Sequence, residues 1–125
     1  MSKRKPIVYN PTKLLMEIQK WNLPFFDKKH NHYIFVEGRA RSNQTRIEHI
    51  VEYSHNLNTR DLGLIPNGIN SYFDYKKDPV HKKTFNYYIR RGGKVKGFIK
   101  VSVMISDTDK TKAWIKTIFI TYKLK

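Results

Sequence analysis

Cysteine is missing from this chain altogether. That excludes disulfides and thiolate metal sites, and it suits a reducing compartment. No apolar run approaches the roughly 20 residues that a membrane-spanning helix needs. The N-terminus also lacks the apolar stretch of a signal peptide. A soluble, cytoplasmic protein with no membrane association is therefore expected. Phosphate loops, Gly-rich dinucleotide turns, nucleophile elbows and clustered metal ligands are missing too, so neither a metal nor a cofactor is expected. Repeats and low-complexity tracts are likewise not seen. Acidic residues are scarce: 10 Asp and Glu stand against 25 Lys and Arg, a formal charge of +15.

Such an excess attracts polyanions, whether nucleic acid or an anionic membrane. A basic but inert surface is one competing explanation. Codon usage is another; it would account for Lys, Asn, Ile and Tyr together, but not for so few acids. The 125 residues suffice for one domain and not for two, with residues 1–10 read as a flexible basic arm.

The richest pattern lies between Thr84 and Tyr122. Ile99, Val101, Val103 and Ile105 alternate with Phe98, Lys100, Ser102 and Met104, the period-two signature of a strand with one covered and one wet face. Residues 113–122 alternate again, placing Trp114, Ile118 and Ile120 opposite Ile115, Thr117, Phe119 and Thr121. Before them, Thr84–Arg90 offers Phe85, Tyr87 and Ile89 as its buried set. Arg91-Gly92-Gly93 and Asp107-Thr108-Asp109-Lys110 supply the turns. Three strands, Thr84–Arg90, Val95–Ile105 and Ala113–Tyr122, are thus expected in an antiparallel meander.

Helices precede them. Leu14, Leu15, Ile18 and Trp21 share one side of a helix from Pro11 or Thr12 to Trp21, ended before Pro24. Phe25–Asn31 reads as a loop, with Lys28, Lys29 and His30 on a solvated surface. Tyr33–Glu37 reads as a short strand. A second helix is expected over Thr45–His55, with Arg46, His49 and Tyr53 on a stripe beside its apolar face. Gly68–Phe73 suggests a turn of helix, and Asp74–Lys83 a charged connection. The fold class is then α+β: N-terminal helices packed on a twisted antiparallel sheet whose other face is open and basic.

One helical histidine, several Lys and Arg, and Thr and Tyr hydroxyls suit metal-independent RNA cleavage. There the 2′-OH attacks the adjacent phosphorus, which requires proton transfer and charge neutralisation. His49 is the candidate acid or base, Lys100 and Arg46 the phosphate-neutralising cations, and Thr117 the donor to a phosphoryl oxygen. Tyr88, Arg90, Lys116, Thr121, Arg39 and Arg41 are the candidates for nucleic-acid contact. Each has a plainer role: His49 and Lys100 as solvated surface, Thr117 and Thr121 as β-branched strand formers, Tyr88 as cross-strand packing. His30 and His32 have a spacing that a strand metal site can use, but without nearby carboxylates a metal is not expected there.

The order of Arg46-Ile47-Glu48-His49-Ile50, Leu62-Gly63-Leu64-Ile65-Pro66 and Phe85-Asn86-Tyr87-Tyr88-Ile89, followed by the basic strand 97–104 and Trp114-Ile115-Lys116-Thr117-Ile118-Phe119, resembles the barnase–EndoU–colicin E5/D–RelE group of phage and polymorphic-toxin nucleases. The resemblance covers about residues 45–122. It implies a helical region before a twisted antiparallel sheet whose concave face cleaves RNA without metal. His49 matches the group's helical histidine, Thr117 its late-strand threonine, and Lys100 loosely its central-strand cation. Glu48 beside His49 departs from a cleaner Lys-His pair. The expected activity is an endoribonuclease of toxin or phage type. It would cut tRNA or mRNA through a 2′,3′-cyclic phosphate and be held in check by an acidic antitoxin or immunity protein. The alternatives are a non-catalytic nucleic-acid-binding protein and a basic module docking an acidic protein.

Overall fold

Strand-forming alternation and two helical stripes give an α+β fold in the computed structural model, which describes residues 11–36 and 57–123. In chain order the elements are α1 (Pro11–Gln19), β1 (Phe25–Asp27), β2 (His32–Phe35), α2 (Thr59–Gly68), β3 (Asp74–Lys77), β4 (Thr84–Arg90), β5 (Phe98–Ile105) and β6 (Lys112–Thr121). The helix expected over Thr45–His55 lies outside the described residues. All six strands form one sheet in the order β1-β2-β6-β5-β4-β3. Neighbours are antiparallel except β2 and β6, which run parallel. The sheet is therefore mixed rather than a simple antiparallel meander. β1 occupies part of the segment read as a loop, and β3 part of the charged connection; both strands are too short to show a period.

In β5 the alternation partitions as the sequence indicates. Ile99, Val101 and Val103 are fully buried against the helices, with Tyr87 and Ile89 of β4 beside them. In β6 it does not. The register steps from Ser102 opposite Thr117 to Val103 opposite Ile115, so Lys116 is the extra residue of a β-bulge. The bulge switches the parity of the strand. Ala113 and Ile115 consequently join Ile118 and Ile120 in the core, and Trp114 turns to the other face, near Phe35.

α2 forms where only an apolar stretch and a later turn were expected. Gly63 and Pro66 both disfavour a helix interior. Its start is nevertheless secured by a capping box: Asn58 Oδ1 accepts from the Asp61 amide, and the Asp61 carboxylate accepts from the Asn58 amide. Leu62, Ile65 and Ile69 are then buried on the sheet. Gly68 lets the helix lie close, since a Cβ there would stand 2.6 Å from Ile89 Cγ2. A buried ion pair ties helix to sheet. Arg91 donates from Nε and Nη2 to the two Asp61 oxygens at 3.0 and 2.9 Å, and from Nη1 to the Lys96 carbonyl. Gly92 and Gly93, both at positive φ, let the chain turn just after Arg91.

The sheet curls strongly. Laid flat, β1 and β4 would stand about 19 Å apart, four steps of ~4.8 Å. Instead the Tyr87 hydroxyl of β4 donates to the Asp27 carboxylate of β1. Asp27 is fully buried and also accepts from the Lys29 and His30 amides and pairs with His30 Nδ1 at 2.7 Å. His30 in turn stacks on Tyr75 of β3, ring centres 3.9 Å apart. This clasp draws the two sheet edges together on the helix-bearing side, which is therefore the concave side. His30, expected on a solvated surface, is part of the clasp.

Candidate functional site

On the convex face, side chains pointing away from the helices come from alternate positions of β4, β5 and β6. Opposed pairs are Asn86 with Ser102, Tyr88 with Lys100, Ser102 with Thr117, and Lys100 with Phe119. The expected open platform is not continuous there. Thr84, Asn86 and Tyr88 are all buried, so β4 is covered on both faces, and Ser102 of β5 beside them is buried too. Tyr88 thus presents no ring face on which a base can stack.

A cavity of about 330 Å³ opens beside these buried residues, lined by Asp78, His81, Thr84, Lys100, Ser102, Lys116, Thr117 and Phe119. Its geometry follows from two local devices. The first is the bulge in β6, which brings consecutive residues Lys116 and Thr117 alongside Ser102. The second is an Asx turn after β3, where Asp78 Oδ1 accepts from the Val80 and His81 amides at 2.9 and 2.8 Å. Asp78 Oδ2 accepts from Asn86 Nδ2 at 3.2 Å, and Asn86 Oδ1 accepts from the Ser102 hydroxyl at 2.6 Å. The turn is thereby anchored to β4 and β5. The amides of His81 and then Val80, with the Asn86 amide adding to them against a small burial cost, hold the Asp78 carboxyl at about 2, below its ordinary 3.8. Lys100 lies over the Phe119 ring, 5.1 Å from its centre, and among the described residues no carboxylate pairs with it or with Lys116.

Of the residues singled out in the sequence, Lys100, Lys116 and Thr117 meet in this cavity. Thr121 shares their face farther along β6, where its hydroxyl donates to the Lys123 carbonyl. Arg90 lies on the same face of β4, at its exposed end, stacked over Phe73 at 4.2 Å. His49, Arg46, Arg39 and Arg41 lie outside the described residues. His81 was not singled out; the available signal was Asp78-Pro79, a turn-initiating pair that sets His81 at a fixed offset. The cavity also lies on the convex face, whereas the nuclease resemblance implies the concave one.

Across the sheet, the clasp forms a second polar group. Burial pushes the Asp27 carboxyl up, but hydrogen bonds from Tyr87 and His30 outweigh it and hold the group below its ordinary value. Burial first, and then Asp27, through its charge at Tyr75 and through the hydrogen bond it accepts at Tyr87, pushes both tyrosines well above the usual phenol range. Burial also lowers His32. Among the described residues, no three His, Asp or Glu side chains converge as a metal would require. No described helix is long and apolar enough to cross a membrane. Family models, curated proteins and solved structures were all compared with the chain, and none matches it.

Proposed function

We propose that this chain binds RNA at the convex-face cavity and cleaves it without a metal, as an endoribonuclease. The observation that carries the reading is that one cavity gathers two cations, Lys100 and Lys116, a hydroxyl donor, Thr117, and an imidazole, His81. Two lysines suit a phosphodiester, and the overall charge of +15 favours its approach. Thr117 is suited to donate to a nonbridging oxygen as charge builds there. Transphosphorylation needs one group to take the 2′-OH proton and another to protonate the leaving 5′-oxygen. His81 fits one of these roles, and His49 is the candidate for the other.

A second reading, RNA binding without cleavage, is favoured by a specific feature. Among the described residues the His81 imidazole has no hydrogen-bond partner to orient it, unlike His30 on Asp27.

The test incubates wild type, His81→Ala and His49→Ala with tRNA and mRNA in EDTA and maps the ends. Cleavage leaving 2′,3′-cyclic phosphate is expected, slowed on the order of 10²-fold by either substitution. His81 is exposed, so its removal should leave the melting temperature unchanged. RNA that binds in a salt-dependent way but stays intact would establish the second reading; RNA that does not bind defeats both.

A further inference from the structure

The concave face ends in a second basic cavity, of about 340 Å³, that the proposed RNA reaction does not use. The helices cover the sheet near Ile99 and Ile89, whereas the other end of the curl stays open between His32 of β2 and Lys77 of β3. Those strands are not neighbours, so the cavity exists only because the clasp folds the sheet on itself. Phe85 and Ile105 supply an apolar wall. Phe85 is the last ring of a stack: His30 lies on Tyr75, and Tyr75 lies parallel to Phe85 at 5.5 Å and 5°. Phe85 thus lines the cavity at the end of this stack.

Around this wall stand Lys77, Lys83 and Lys110. Lys83 is paired with Asp107, and among the described residues Lys77 and Lys110 have no acidic partner. His32 also lines the cavity. An aromatic wall and unpaired cations together suit a planar heterocycle that carries a phosphate.

We propose that this concave cavity binds a nucleotide, its base against Phe85 and its phosphate between Lys77 and Lys110. The nucleotide is either a free mononucleotide or one unit of an RNA strand. The connection from Asp78 to Lys83 separates the two cavities, lending Asp78 and His81 to one and Lys83 to the other.

The test titrates the protein with 5′-AMP, adenosine and inorganic phosphate in turn, following the His32 ring resonances by NMR. Saturable shifts are expected with 5′-AMP at lower concentration than with either fragment. Lys77 and Lys110 are exposed, so Lys77→Gln/Lys110→Gln should fold normally. Losing two charge-assisted contacts should weaken 5′-AMP by about tenfold or more. Lys100→Gln/Lys116→Gln, on the convex face, should leave 5′-AMP binding unchanged while weakening RNA, which separates this site from the proposed reaction. A tetranucleotide RNA that displaces 5′-AMP identifies the source as RNA; one that does not identifies a free nucleotide. No saturable shift with 5′-AMP, shifts by phosphate alone as strong as by 5′-AMP, or binding that survives the Lys77 and Lys110 substitutions would overturn the proposal.

Discussion

Replacing Arg91 with leucine isolates the contact that joins α2 to the sheet. In the wild type the guanidinium faces Asp61 with two charge-assisted hydrogen bonds, at 3.0 and 2.9 Å, and both residues are buried, Asp61 at 2% exposure and Arg91 at 9%. Leucine keeps much of the aliphatic bulk but leaves the Asp61 carboxylate in the interior without its cation. Breaking a buried pair in this one-sided way costs about 3–5 kcal/mol. Total stability for a domain is only about 5–15 kcal/mol, so the loss is a large fraction of it. At this chain length it corresponds to a drop in melting temperature of about 10–20 °C. Urea unfolding followed by circular dichroism measures the change. The control is the double variant Asp61→Asn/Arg91→Leu, which replaces the stranded charge with a neutral amide that still fits the capping box. It should lose less than Arg91→Leu alone, because the two sites are coupled. An Arg91→Leu loss below about 1 kcal/mol would refute the reasoning, since surface pairs have that worth. So would a double variant that loses the sum of both single changes.

Two further outcomes test the frame of the sheet. Val101 is fully buried between Tyr87 and Ile118, so Val101→Asp should cost several kcal/mol, and a wild-type unfolding midpoint would show the facing of β5 to be wrong. Asp78 has a folded value of about 2 against an ordinary 3.8, so its contribution is complete above about pH 4 and is lost as pH falls through 2. The stability gap between wild type and Asp78→Ala should therefore shrink across that window; a gap that stays constant from pH 5 to 2 would remove the carboxylate from the account.

The strands β4 and β5 were legible because each buries one apolar set at strict period two, and nothing interrupts the register between Thr84–Met104 and Arg90–Phe98. β6 shows how that logic fails. Its buried apolar residues occur at 113, 115, 118 and 120, a pattern that changes parity once. Read as an unbroken strand, it sends Trp114 inward and Ile115 outward. Only the bulge at Lys116 reconciles the two halves, and a bulge leaves no composition of its own. α2 was obscured for a different reason. Gly63 and Pro66 argue against a helix residue by residue, whereas the signal in its favour is a cap, Asn58 with Asp61, joined to burial that exists only once the sheet is there. β1 and β3, of three and four residues, take their conformation from the strand beside them.

The convex cavity was half legible for the same physical cause. Lys100 and Thr117 could be placed on one face because strand parity puts them there, and their neighbourhood follows from pairing across β5 and β6. His81 comes from a connection, where no period applies, and its place depends on a carboxylate accepting its backbone amide. The concave cavity could not be read at all. Lys77, Lys110 and His32 sit on strands and turns far apart in the chain and in the sheet order. They converge because a hydroxyl and a carboxylate 60 residues apart close the curl. Loosening that clasp, by contrast with substituting any wall residue, should therefore open the concave cavity while leaving the convex one intact, because the latter is braced by Asp78, Asn86 and Ser102 and by the bulge in β6 rather than by the clasp.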